Sequence, residues 1–179
     1  MRVISGKYRG LNLAEFKGAE IRPTADRVKE SLFNILSPHI AGAEVLDLFC
    51  GSGNLGIECL SRGAKSVHFN DLSKDSIAVF KKNAAKLDGR DKYTVTALDF
   101  KRCLARVEDF DLIFIDPPYA SDAGIEALKI ISRDDKLKYG GIAVYERDRA
   151  FEGEIHGLEM FDERKYGKTY LSFFAVEGD

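Results

Sequence analysis

The rhythm of the chain from Glu44 onward limits its fold more than any other feature. Short apolar runs alternate there with longer amphipathic ones. EVLDLF, SVHFN, YTVTAL, DLIFID and GIAVYE read as five strands. The spacing of apolar residues predicts helices over 55–62, about 76–87, 101–107 and about 123–131 between them. Repeated strand–helix units build a parallel sheet covered on both faces, because each crossover must carry a helix across the sheet. The tail, GLEMFDERKYGKTYLSFFAVE, has no helical period and predicts two strands meeting at Tyr166-Gly167. Consecutive strands joined by a tight turn run antiparallel. The expected fold is α/β and Rossmann-like, with a seven-stranded, mostly parallel sheet and an antiparallel C-terminal edge hairpin.

The first forty residues follow a different pattern. RVIS and LNLAEF read as short strands of a small β-hairpin around the basic turn GKYRG. RPTADRVKESLFNILSPHI then predicts a helix, with Thr24 as N-cap and Asp26 at its positive end. Val28, Leu32, Ile35 and Leu36 supply its apolar face, and Ser37-Pro38 ends it. With 179 residues there is enough chain for one sizeable core. No run approaches a membrane span, and the N-terminus lacks the apolar stretch of a secretory signal, so a cytoplasmic location is expected. Cys50, Cys59 and Cys103 form no C-x-x-C pair, and His39, His68 and His156 are scattered. No metal site is expected, and the thiols should be reduced and buried. Residues 1–34 carry seven basic and four acidic side chains, net +3, against a total of −2 for the chain. A basic segment on an acidic body suits a local anionic contact or a solvated surface equally well.

The loop after the first sheet strand, in LDLFCGSGNLGIE, places Gly51, Gly53 and Gly56 in G-x-G-x-x-G spacing. Asp71 ends the second strand twenty residues after the first glycine, where an acidic side chain meets a ribose hydroxyl pair. A nucleoside-bearing cofactor is expected. Asp47 decides which one. A pyrophosphate wants bare amides at the helix start, and a carboxylate nearby would repel it. S-adenosylmethionine brings an ammonium and a carboxylate and no phosphate, so an acidic residue at the strand end suits it. Asp99, after the third strand, would lie near the adenine with Phe100 beside it.

The fourth strand runs into IFIDPPYAS. Asp116 emerges at the strand's carboxyl end, beside the cofactor loop. Pro117 and Pro118 stiffen the backbone and donate no hydrogen bonds. The Asp116 carboxylate and the Pro117 carbonyl form two fixed acceptors, matching the two hydrogens of a planar exocyclic amine. Holding both orients the nitrogen for in-line attack on a methyl group. Tyr119 can stack on the base carrying that amine.

LDLFCGSGNLGIE, FND and DPPY together resemble the class I, Rossmann-type S-adenosylmethionine-dependent amino-methyltransferases. MRVISGKYRG, IRPTADRVKESLFNIL and KYGKTYLSFF extend the likeness over nearly the whole chain, to the bacterial 16S rRNA guanine-N2 methyltransferase family. The resemblance implies methylation of one guanine N2 in small-subunit rRNA, on an assembled or assembling 30S subunit, by a monomer without metal. It implies an RNA-side extension over 1–40 and a catalytic domain over 41–179. By motif, Asp116, Pro117, Pro118 and Tyr119 form the catalytic pocket. Asp47, Gly51, Gly53, Asp71 and Asp99 line the cofactor, with Phe49, Leu72 and Phe100 as their neighbours. Lys7, Arg9, Arg22, Thr24 and Arg27 are expected on the RNA side. Asn70 stands where the family has an apolar residue, and Asp71 where glutamate is common. An adenine-N6 methyltransferase stays open as an alternative, because DPPY serves that amine equally well, and so does a non-catalytic RNA-binding assembly factor. An NAD dehydrogenase is disfavoured by Asp47 and DPPY.

Overall fold

The alternation of short and long apolar periods resolves into seven strands and five helices in the computed structural model, which describes residues 1–16, 23–118 and 121–178. The strands are β1 (Glu44–Asp47), β2 (Ser66–Asn70), β3 (Tyr93–Thr96), β4 (Phe110–Ile115), β5 (Leu137–Arg147), β6 (Leu158–Tyr166) and β7 (Thr169–Val176). The helices are α1 (Pro23–Leu36), α2 (Asn54–Ser61), α3 (Lys74–Ala84), α4 (Phe100–Leu104) and α5 (Ala123–Arg133). One sheet holds all seven strands in the order β3-β2-β1-β4-β5-β7-β6. Pairings from β3 through β5 are parallel, and β7 runs antiparallel to both β5 and β6. The chain winds outward from β1 to β3 and then returns to β4. The carboxyl ends of β1 and β4 therefore flank the switch point, where such sheets bind ligands.

Two apolar clusters pack on opposite faces of the sheet. One joins α1, α2 and α3 to Val45, Val67, Phe69, Phe114, Val144 and Phe173. The other joins α4 and α5 to Leu46, Ile113, Ile115, Ala143, Tyr145 and Phe174. The alternation of neighbouring residues between clusters follows from the two-residue period of a strand. It also places Asp47, Asp116 and Glu146 on the α1 face.

Two N-terminal expectations change. The hairpin is a single antiparallel bridge, Arg2 to Asn12, rather than a pair of strands. Helix α2 takes the donors that a longer ladder would need. Ile4 N and Ser5 N donate to the two Glu58 carboxylate oxygens (2.9 and 3.1 Å), and Tyr8 N donates to Ser61 Oγ (2.9 Å). Helix α1 begins at Pro23, so Thr24 lies in its first turn and not at the N-cap. Proline suits that start because its fixed φ is helical and its missing N–H would have had no intrahelical partner. The helix stops at Leu36, and Ser37–His39 tightens into one 3-10 turn. All three cysteines are free and buried. Among the described residues, no helix is long and apolar enough to cross a membrane.

Candidate active site

The glycine loop is shaped by the strands on either side of it. Gly53, at φ +81°, caps the start of α2 in the left-handed region, and a Cβ there would meet Phe80 at 2.5 Å. Gly56 sits in the first turn of α2, where a Cβ would lie 2.3 Å from the Phe69 ring. The first requirement is conformational, and the second is close approach of helix to sheet. Asp47 Oδ2 accepts from Gly56 N at 3.0 Å, which ties the strand end to the helix. Asp71 closes the loop from the other side. Its Oδ2 accepts from Gly51 N (2.9 Å) and its Oδ1 from Ser73 N (2.8 Å).

Asn70 explains its own departure from an apolar pattern. Its amide nitrogen donates to Leu48 O (3.2 Å) and Leu98 O (3.0 Å). Its oxygen accepts from Thr96 Oγ1 (2.7 Å) and Leu98 N (3.2 Å). A buried amide with four partners is fully satisfied and holds the ends of β1, β2 and β3 together.

Above these strand ends lies a cleft of about 580 Å³. That is the size class of sites for small organic ligands, roughly 300–1,000 Å³. Phe49 and Gly51 line it from the loop, Val28 and Leu32 from α1, and Lys168 from the β6–β7 turn. Asp47, Asp116 and Glu146 line its floor. Burial pushes the Asp47 carboxyl up to about 7, and the nearby Asp71 charge adds to this. Asp116 is exposed to the cleft. Partial desolvation there, then the Glu146 and Asp47 charges, push its carboxyl above the usual range. Glu146 is raised by burial too. Three carboxyl groups held above their ordinary range gain most, on ionising, from a cationic or hydrogen-donating partner.

The expected site residues fall into groups. Asp47, Phe49, Gly51 and Asp116 share the cleft. Gly53 and Asp71 stand directly behind its loop. Leu72 is 67% exposed beside Asp71. Asp99 caps α4, its carboxylate accepting from Lys101 N at 2.9 Å. Phe100 is buried against Phe49, ring centres 5.5 Å apart, so Phe49 is the ring that faces the cleft. Pro117 and Pro118 border a smaller crevice next to Glu146. Arg22 and Tyr119 lie outside the described residues. Arg27 is exposed on α1, and Arg9 is exposed in the N-terminal turn. Lys7 stands at the opposite, amino-terminal end of the strands, paired with Asp91.

Several residues at the site escaped the sequence pattern. Lys29 is 3% exposed in the cleft wall and pairs with Glu58 at 2.9 Å. Burial lowers the Lys29 ammonium despite that pair. Burial also works against ionisation of Glu58, but Lys29, Ile4 N–H and Arg62 outweigh it and hold the carboxyl below its ordinary value. Arg147 is stacked between the Tyr145 and Phe151 rings. No local motif marks Lys29 and Glu58, since each is the other's partner from a different helix. Among the described residues no cluster of three or more histidine, cysteine, aspartate or glutamate side chains could hold a metal ion.

The profile of the family described as "Conserved hypothetical protein 95" matches residues 1–175. A Bacillus subtilis protein provisionally named an rRNA methyltransferase is 38% identical over 99% of this chain and 100% of its own length. The ribosomal RNA small subunit methyltransferase D of Haemophilus influenzae is 37% identical over 83% of this chain and 79% of its own. A solved Escherichia coli protein, yhhF, provisionally described as a methyltransferase, superposes with a TM-score of 0.86 at 28% identity. It covers 100% of this chain and 99% of its own.

Proposed function

This chain belongs to the family described as conserved hypothetical protein 95, and we propose that it methylates the exocyclic N2 amine of a guanine in small-subunit rRNA, using S-adenosylmethionine. The observation that carries this reading is the placement of Asp116. Its carboxylate ends β4 in the same cleft as the Asp47-anchored glycine loop. A methyl donor held by that loop and an amine held by Asp116 would meet face to face.

The cleft fits the cofactor on its own chemistry. Asp47 and Gly51 border a space with room for an ammonium and a close backbone approach, and a carboxylate at Asp47 would repel a pyrophosphate. Asp71 uses both oxygens on backbone N–H groups, but each oxygen keeps a lone pair for a ribose hydroxyl. Asp99 similarly keeps capacity for an exocyclic adenine amine. When bound, the cofactor supplies an activated methyl on a sulfonium. Asp116 and the Pro117 carbonyl accept the two amine hydrogens and turn the nitrogen lone pair toward that methyl. Asp116 would also take up the proton that the amine gives up on methylation, directly or through water. Tyr119 is proposed to stack on the extruded base, offsetting part of the few kcal/mol that unstacking costs.

The substrate is proposed to be the rRNA within an assembled or assembling subunit, bound by a cytoplasmic monomer. Arg9, Arg22, Thr24 and Arg27 are proposed backbone contacts, joined by Lys168 at the cleft mouth. Lys7, committed to Asp91, is the weakest member of the set. Transfer from labelled S-adenosylmethionine to unmodified small subunits, bare rRNA and duplex DNA tests the reading. N2-methylguanosine from the subunit is expected. N6-methyladenine would instead keep the chemistry and replace the substrate.

A further inference from the structure

We propose that Glu146 reads the base: its carboxylate accepts the N1–H of the guanine whose N2 amine faces Asp116. The inference rests on the function proposed above and adds the residue that selects guanine over adenine.

Strand register supports it first. Ile115 of β4 pairs with Tyr145 of β5. Asp116, directly after β4, and Glu146 of β5 therefore follow the last pair of neighbouring parallel strands, whose backbones run about 4.8 Å apart. Both side chains fall on the α1 face and line one cleft. Glu146 caps no loop, because it is still within β5 and pairs there with Leu171 of β7. Among the described residues, no hydrogen bond perturbs either carboxylate. Both oxygen pairs are left for a ligand.

Two carboxyl groups side by side, ionised once a cationic cofactor and a donor-bearing base edge lie against them, form a row of acceptors. The matching edge of guanine is a row of donors, N2–H₂ followed by N1–H. Adenine offers N6–H₂ followed by N1, whose lone pair would face the second carboxylate. Opposing two acceptors in a desolvated site leaves both unpaired, and sites built on such hydrogen bonds reject the wrong partner strongly. One carboxylate and a carbonyl, as in DPPY alone, would hold either amine. The second carboxylate separates them.

The test uses small subunits reconstituted with rRNA in which the methylated guanine, first located by nucleoside mapping, is replaced by 2,6-diaminopurine. That base keeps the 2-amino group but carries an acceptor at N1. Wild-type kcat/KM should be at least about tenfold lower on diaminopurine than on guanine. In Glu146→Gln the amide can accept from N1–H or donate to N1. The variant should lose rate on guanine and gain rate on diaminopurine, bringing the ratio close to one. A structural defect would lower both rates together, and that result would overturn the inference. So would a wild-type enzyme that treats the two bases alike, a measurement that needs no variant at all. Failure of wild type to methylate guanine subunits would remove the function itself, whereas guanine methylation with an unmoved ratio removes only the role of Glu146.

Discussion

At the scale of single residues, the cleft depends on carboxyl groups gathered where each opposes its neighbour's charge. Asp116→Ala should lower methyl transfer by about 10²-fold or more, the usual size of losing a positioned proton acceptor. Cofactor affinity, measured by calorimetry, should stay nearly unchanged, because Asp116 faces the acceptor. Asp47 gives a pH signature. Its folded value, about 7, stands above the ordinary 3.8. The folded protein therefore holds a proton that the unfolded chain releases between those values. Stability contributed by Asp47 is full below pH 3.8, falls as pH rises toward 7, and levels off above it. Denaturant midpoints taken across that window should show the decline, and Asp47→Asn should flatten it. Cofactor affinity should move the opposite way, tightening as pH rises toward 7, because an ammonium favours the ionised carboxylate. Asp47, Asp71 and Asp116 were legible as site residues because strand ends and loop spacing mark them. Glu58 and Lys29 were not, since a buried pair between α2 and α1 leaves no periodic trace.

At the scale of elements, the glycine loop works because α2 lies almost in contact with β2. Gly56→Ala would drive a methyl into the Phe69 ring. Overpacking of this kind costs about 1–3 kcal/mol, and the denaturant midpoint should fall accordingly with little change in its slope. From Glu44 onward the strands and helices were readable from their periods, and they follow one another in the expected order. Boundaries moved where a tertiary partner intervened. β5 starts at Leu137, earlier than the apolar run GIAVYE suggests, because Phe110 of β4 pairs with Leu137 across a register shift. α1 starts at Pro23, before the expected cap. The N-terminal strands shrank to one bridge because Glu58 and Ser61 took their donors.

At the scale of the whole molecule, the N-terminal segment is fastened to the sheet domain by Glu58, which also holds Lys29 and Arg62. Removing one member of a buried ionic cluster leaves the others uncompensated. Glu58→Ala should cost about 3–5 kcal/mol and expose the Ile4 and Ser5 amides to hydrogen exchange. The two ends of the sheet also divide the basic residues. Lys168→Ala should weaken subunit binding across salt concentrations and reduce the salt dependence by about one phosphate contact, read from filter binding. The chain's own order of residues determined the α/β class, the antiparallel tail, the glycine loop and the DPPY strand end, because backbone periods and turn chemistry are local. Only the tertiary structure decided that Glu146 stands beside Asp116, that Lys7 lies at the far end from the cleft, and that Glu58 anchors the N-terminus. Those depend on strand register and on which faces meet, and both are set by packing between segments far apart in sequence.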